Sequence, residues 1–280
     1  MYSRFLILLL TLIAIPSFAQ IPIEHYRTKI KELKTKTEYN AFWDSIVQLD
    51  QQVLMKTGPV NKFDSLSIDL MVRTALMFEQ HGVEAYNVYS PAPVLNFVHS
   101  SVSESLLAFW PIITDCVNAG DGAITQMGGG FPAYQLESIS LSFYSYSLFQ
   151  KDDKYPALLE KLNQYSENAV IPNLLKAFEK HKAIQALQKL KTLNSWYVEE
   201  LIGLLDERTF SIVILEDDAL YVTRSHYRHK LNLVTETPSK KIYRIENEPF
   251  GWSYELGTTG DLKLLDQFGN VLMAYTQAEK

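Results

Sequence analysis

The chain has 280 residues, with 26 Lys and Arg against 32 Asp and Glu, so its formal net charge is −6 at pH 7. No run of five or more basic residues occurs, which argues against binding to nucleic acid or to anionic membranes. Cys116 is the single cysteine, so the chain cannot form an internal disulfide and must depend on a hydrophobic core for its stability.

Residues 1–19 have the pattern of a secretory signal peptide. Arg4 precedes an apolar run over residues 5–15, and small residues stand at the −3 and −1 positions of the expected cut. The apolar run is shorter than the roughly 20 residues that a membrane-spanning helix needs. We therefore expect cleavage between Ala19 and Gln20, which gives a periplasmic or secreted mature chain without a transmembrane segment.

Residues 20–206 carry apolar side chains at three- and four-residue spacing, which predicts an all-helical domain with Cys116 on a buried face. The predicted helices are 38–57, 63–81 with Asp64 as its N-cap and Gly82 as its stop, 93–118 kinked or restarted at Pro111, 156–166 and 172–205. A glycine-rich connector covers residues 119–132. Residues 133–149 fit either a strand or a helix, and their helical neighbours favour a helix.

Residues 207–280 consist of short apolar and β-branched runs separated by turn signals, which predicts an antiparallel β-meander of five to seven strands. The predicted strands are 210–215, 220–223, 231–235, 241–246, 252–256, 262–266 and 271–276, with a hairpin turn at 267–270. The last two predicted strands resemble the closing hairpin of small lipocalin-like barrels. Residues 207–280 are nevertheless expected to be too few for a barrel of eight strands. The predicted fold class is therefore α+β, with the meander either standing alone or packed on the helices.

Part of the helical region resembles a bacterial helical domain of unknown function. That family has an Asp-Gln pair, a glycine that ends a helix, a histidine, a step of the Leu-Pro type and a second glycine. The matching residues here, within about 45–120, are Asp50-Gln51, Gly82, His99, Trp110-Pro111 and Gly120. The family's arginine after Asp-Gln and its later Asp-Arg pair are missing from this chain. The resemblance implies a helical fold and no mechanism.

His226 and His229 have the most ligand-like spacing in the chain. In a helical turn they could share a face and bind a metal together with Glu216 or Asp218. In an extended strand they would point to opposite faces, which excludes such a site. Strands are predicted on both sides, so we place the two histidines in a polar connection and expect neither a metal site nor another cofactor.

No complete catalytic motif is present. The string Gly251-Trp252-Ser253 lacks the final glycine of a nucleophile elbow. His99, Ser103 and Glu104 could supply a base, a nucleophile and an orienting group if His99 and Ser103 shared one helix face. A solvent-facing polar stripe explains the same residues, and the catalytic residues therefore stay unassigned.

Tyr243, Trp252 and Tyr254 on the meander are the candidate ligand-binding residues, because aromatic side chains with a polar tip suit glycan or peptide faces. Packing in a core is the alternative reading. We expect an exported, non-catalytic binding protein of the cell envelope, whose partner is a protein, a peptide or a glycan. The alternative is a hydrolase of envelope or environmental polymers, which would bring together two or more of a defined set of polar residues: His99, Glu104, Asp218, His226 and His229.

Overall fold

The structure, a computed structural model, describes residues 21–56, 60–100, 102–120, 169–186, 191–197, 210–214, 219–224, 227–246, 248 and 250–277. Several predicted features lie outside these residues: the signal peptide, all but the first two residues of the glycine-rich connector 119–132, the ambiguous segment 133–149, the helix 156–166, and the side chains of Glu216, Asp218 and His226. In the described residues, helices fill the N-terminal part of the chain and antiparallel strands fill the C-terminal part. The predicted α+β class is confirmed.

The helices follow the apolar periodicity of the sequence. They are α1 (Ile23–Glu32), α2 (Lys36–Gln48), α3 (Val60–His81), α4 (Ala92–Val98), α5 (Ser103–Asn118) and α6 (Val170–Ala186). A π-helical turn (Leu49–Val53) and a short 3₁₀ turn (Leu54–Lys56) continue α2, and another 3₁₀ turn (Val83–Ala85) follows α3. No helix in the described part of the chain combines the length and the apolar composition needed to cross a membrane.

Local signals explain how two of these helices begin and end. A capping box starts α2, where the Thr35 hydroxyl accepts from the Glu38 amide and the Glu38 carboxylate accepts from the Thr35 amide. Gly82 ends α3 as predicted, with a φ of 68° that favours glycine over residues with a Cβ. Asp64 does not cap α3, because that helix already begins at Val60.

The predicted helix over residues 93–118 breaks at a different place. The break lies at residues 99–102, between α4 and α5, whereas Pro111 sits inside α5. Proline keeps a helical φ, so its cost inside a helix can be offset by the packing of the residues around it. Those neighbours are fully or almost fully buried: Phe109, Trp110, Ile112, Ile113 and Cys116. The predicted burial of Cys116 is therefore confirmed.

Eight strands form one antiparallel sheet that closes into a barrel, each strand pairing with the next and β1 with β8. They are β1 (Lys191–Tyr197), β2 (Phe210–Ile214), β3 (Leu220–Arg224), β4 (Tyr227–Glu236), β5 (Lys240–Ile245), β6 (Ser253–Gly257), β7 (Leu262–Leu265) and β8 (Val271–Gln277). The predicted hairpin between β7 and β8 is confirmed, since the Asp266 amide donates to Asn270 O at 2.9 Å.

Two expectations about the sheet were wrong. Residues 191–197 form β1, although they were expected to continue the helix over 172–205. The sheet therefore starts before residue 207 and reaches eight strands, which the predicted meander was too short to supply. The reason is tertiary: β1 pairs with β2 and β8, and the Trp196 side chain is 1% exposed in the core.

One face of the closed sheet is buried along successive strands. Residues opposite each other in register point to the same face, and such pairs include Val222 with His229, Leu231 with Ile245 and Tyr243 with Tyr254. All six side chains are buried. A single cluster of buried apolar side chains contains members from the helices and from the barrel. The helices and the barrel therefore share one core.

Candidate functional site

Asp50 and His99 form a hydrogen-bonded pair across a separation of 49 residues. His99 Nδ1 lies 2.8 Å from Asp50 Oδ1 and 3.0 Å from Asp50 Oδ2. The Asp50 side chain is 0% exposed, whereas 19% of the His99 side chain remains accessible. His99 Nε2 makes no hydrogen bond with any described residue. Within the described part of the chain, the imidazole is therefore anchored through Nδ1 alone.

The two residues are placed by unusual helix ends. Asp50 lies in the π-helical turn that continues α2, and turns of this kind are frequent at functional sites. His99 is the C-terminal cap of α4, and its amide donates to Leu95 O at 2.9 Å. Two separate helix ends thus bring the Asp50 carboxylate and the His99 imidazole together.

Neighbouring side chains hold this pair in place. Gln51 Nε2 donates to Asp50 Oδ1 at 2.6 Å. In the segment that follows His99, the buried Ser105 hydroxyl donates to Val102 O at 2.6 Å and lies 3.0 Å from the Ser100 hydroxyl. The loop between α4 and α5 is thus fixed by its own serines, and the carboxylate of Asp50 is oriented by an amide.

The proposed set of His99, Ser103 and Glu104 is not supported by this geometry. His99 ends α4 and Ser103 begins α5, so the two residues do not share a helix. The Glu104 carboxylate pairs with Lys180 at 3.4 Å and does not orient His99. Asp50 takes the orienting role, which sequence reasoning missed because local spacing cannot show a contact over such a distance. Asp50-Gln51 and His99, which are among the residues of the family resemblance, were the sequence signal that could have pointed to this contact.

A second histidine–carboxylate pair joins α6 to α3. His181 Nε2 lies 2.8 Å from Asp64 Oδ2, and the two side chains are 12% and 5% exposed. This imidazole is more enclosed than that of His99. The pair links two packed helices, as expected for a structural contact.

The α5 and α6 helices meet the barrel through a charged cluster that we call the junction cluster: Glu104, Lys180, His229 and Glu246. Lys180 of α6 forms ion pairs with Glu104 of α5 and with Glu246, which directly follows β5. His229 of β4 is buried, and its Nε2 has no hydrogen-bond partner among the described residues. Burial lowers the pKa of His229 and Lys180 lowers it further, while Glu104 and Glu246 act in the opposite direction. His229 is therefore neutral at pH 7.

The structure places the other predicted site residues inside the protein. Tyr243, Trp252 and Tyr254 are 6%, 3% and 0% exposed, so they do not form an open face for a large partner. His229 belongs to β4 and not to a polar connection, which corrects the sequence interpretation. A binding role for the three aromatic residues stays a prediction.

No metal centre is found in the described part of the chain. Within these ranges, no group of three or more His, Cys, Asp and Glu side chains could hold a metal ion. Of the residues expected to converge in an enzyme, Glu104 and His229 approach closely enough for Glu104 to influence the pKa of His229. His99 instead forms its own pair with Asp50.

Comparison with known proteins gave no match to a family model, to a curated protein or to a solved structure.

Proposed function

We propose that the protein is an exported hydrolase of envelope or environmental polymers in which His99 acts as a general base. The observation that carries this proposal is the pairing of the accessible His99 imidazole with the fully buried Asp50 carboxylate. A carboxylate bound to one imidazole nitrogen fixes the tautomer that leaves the other nitrogen free to accept a proton. Asp50 and Gln51 are positioning residues in this scheme.

The chemistry follows from the position of the charges. His99 Nε2 would take a proton from a water molecule as the water oxygen attacks an electrophilic carbonyl or phosphoryl centre. The imidazolium that forms is stabilised by the Asp50 carboxylate and by the carboxyl end of α4. The same imidazolium can then return the proton to the leaving group.

The test uses the mature chain and two chromogenic probes, p-nitrophenyl acetate and bis(p-nitrophenyl) phosphate. The change is His99→Gln. If His99 is the base, kcat/KM for at least one probe should fall by about 10² to 10⁴-fold.

His181→Gln is the matched control, because it removes a histidine with the same kind of carboxylate partner. It should lower thermal stability and leave kcat/KM within about threefold of the wild type. Equal activity losses in the two variants, or a wild type no faster than His99→Gln with every probe, would overturn the hydrolase proposal.

Binding without catalysis is the second candidate function. The observation that favours it lies on the barrel surface, where Phe268 is 80% exposed and Val271 is 55% exposed beside the same hairpin turn. Large apolar side chains in this position suit contact with a protein, a peptide or a glycan. The wild type would then show no turnover, and Phe268→Ser would weaken capture of a partner without changing stability.

A further inference from the structure

A pocket of about 380 Å³ lies between α1, α2 and α3, and its lining includes neither Asp50 nor His99. This volume falls within the range of small-molecule sites, about 300 to 1,000 Å³. Most of its wall is apolar, and the apolar lining residues are Ile30, Leu33, Ala41, Phe42 and Ile46. The pocket is therefore shaped for an apolar body.

Two of the polar groups on the wall are already used by the backbone. The Glu38 carboxylate accepts hydrogen bonds from the amides of Lys34 and Thr35, each at 2.8 Å. The Ser45 hydroxyl donates to Phe42 O at 2.6 Å. The Ser45 hydroxyl and Glu38 Oε2 thus cap α2 or close its turns, and the Glu38 carboxylate leaves one negative charge on the wall.

Arg73 is a lining residue with unused hydrogen-bond donors. Its Nη2 donates to the Tyr26 hydroxyl at 2.5 Å and to Asp69 Oδ2 at 2.7 Å. The Nη1 group makes no hydrogen bond with any described residue, and 26% of the side chain is exposed. Lys29, also on the wall, adds a second cation, whose partner Glu32 is exposed. The hydrogen-bond donors on the wall are thus carried by two cations, Lys29 and Arg73, against the single carboxylate of Glu38.

We propose that this pocket binds an amphiphile with one aliphatic chain and a carboxylate head group. The chain would lie on Ile30, Phe42 and Ile46, where burial of its methylenes removes apolar surface from water. The carboxylate would accept from Arg73 Nη1, since charge-assisted hydrogen bonds between a guanidinium and a carboxylate are among the strongest in proteins. Because none of these residues belongs to the Asp50–His99 pair, the inference stands apart from the proposed hydrolase activity.

The experiment is calorimetric titration of the mature chain with three probes of equal chain length below their micellar concentrations: dodecanoate, dodecanol and dodecyltrimethylammonium. We expect saturable binding of one dodecanoate per chain. Dodecanol should bind about tenfold more weakly, as expected for the loss of one hydrogen bond to a charged group. The cationic probe should bind more weakly still. Equal affinity for all three probes would overturn the assignment of a carboxylate.

Ala41→Trp tests the location, because Ala41 is an exposed residue on the pocket wall and an indole there would fill the space. Ala183→Trp on the exposed face of α6 is the matched control. We expect at least about a tenfold loss of dodecanoate affinity in the first variant and none in the second. Arg73→Gln should remove the preference for dodecanoate over dodecanol. Failure of the wild type to bind dodecanoate, or equal binding by the two tryptophan variants, would overturn the proposal.

Discussion

Three histidines of this chain lie near acidic groups, and their burial decides what each imidazole can do. His99 is partly exposed, and its Nε2 has no partner among the described residues, which is the arrangement that the proposed general base requires. His181 is more enclosed and uses Nε2 itself for the contact with Asp64. His229 is buried without a hydrogen-bonding carboxylate, and burial keeps it neutral. The same side chain thus stands in three settings: partly accessible in His99, tied between two helices in His181, and buried and neutral in His229.

The buried state of His229 predicts a pH dependence of stability. The pKa of His229 is lowered in the folded protein, so below about pH 6.5 the unfolded chain binds a proton that the folded chain does not. The free energy of unfolding should therefore fall as the pH drops, by at most about 1.4 kcal/mol per pH unit from this residue. Urea denaturation at several pH values between about 7 and 5 measures the slope.

His229→Gln removes the titrating group and should make that slope shallower. The groups that face His229 are Glu104, Lys180 and Glu246, and all three remain in the variant. His25→Gln is the control, because His25 is exposed on α1. An unchanged slope in His229→Gln would contradict the prediction, since the acid sensitivity would then come from other groups.

At the level of single elements, β1 closes the barrel through Trp196. The indole is 1% exposed, and its Nε1 donates to Gly260 O at 2.9 Å in the turn between β6 and β7. Trp196→Ala should lower the free energy of unfolding by about 3 to 5 kcal/mol, because it leaves a large cavity. Trp196→Phe keeps most of the packing and should cost less. Chemical denaturation measures both variants.

Phe268→Ala serves as the control for this prediction. It also removes a large aromatic side chain from the barrel, but that side chain is 80% exposed. The expected cost is within about 0.5 kcal/mol. A similarly small cost for Trp196→Ala would mean that β1 is not needed to close the sheet.

The elements that the sequence predicted best are those whose pattern is local. Strands β5 to β8 follow from alternating apolar residues and turn signals, and α3 follows from its apolar stripe and Gly82. In contrast, the local pattern of residues 191–197 predicts a helix. These residues form β1 because they pair with β2 and β8, which lie elsewhere in the chain. The break between α4 and α5 was also missed, because Pro111 was the stronger local signal.

The candidate site was predictable only in part, for the same reason. His99 was singled out from the sequence, but its partner was sought among its neighbours Ser103 and Glu104. The actual partner is Asp50, which a π-helical turn brings to it from the end of α2. A contact of this kind depends on how the helices pack against each other. It leaves no characteristic residue spacing that could be recognised in a single sequence.

At the scale of the whole molecule, the junction cluster connects the folding of the helices to that of the barrel. Lys180 of α6 reaches Glu104 of α5 and Glu246 after β5, so one ammonium neutralises carboxylates from both halves. The apolar core also runs through both halves. We therefore expect helices and barrel to unfold in one transition, seen at the same urea concentration by far-UV circular dichroism and by tryptophan fluorescence.

Lys180→Met should lower the free energy of unfolding by about 1 kcal/mol at pH 7, a modest value because the ion pairs are partly exposed. The loss should shrink as the pH falls towards about 5.5. Lys180 lowers the pKa of His229, whereas Glu104 and Glu246 raise it, so without Lys180 the folded protein takes up the proton more readily. In a His229→Gln background the cost of Lys180→Met should stay constant over the same range. A cost that does not change with pH when His229 is present would show that Lys180 and His229 do not act on each other, and the junction would then be a set of independent surface ion pairs.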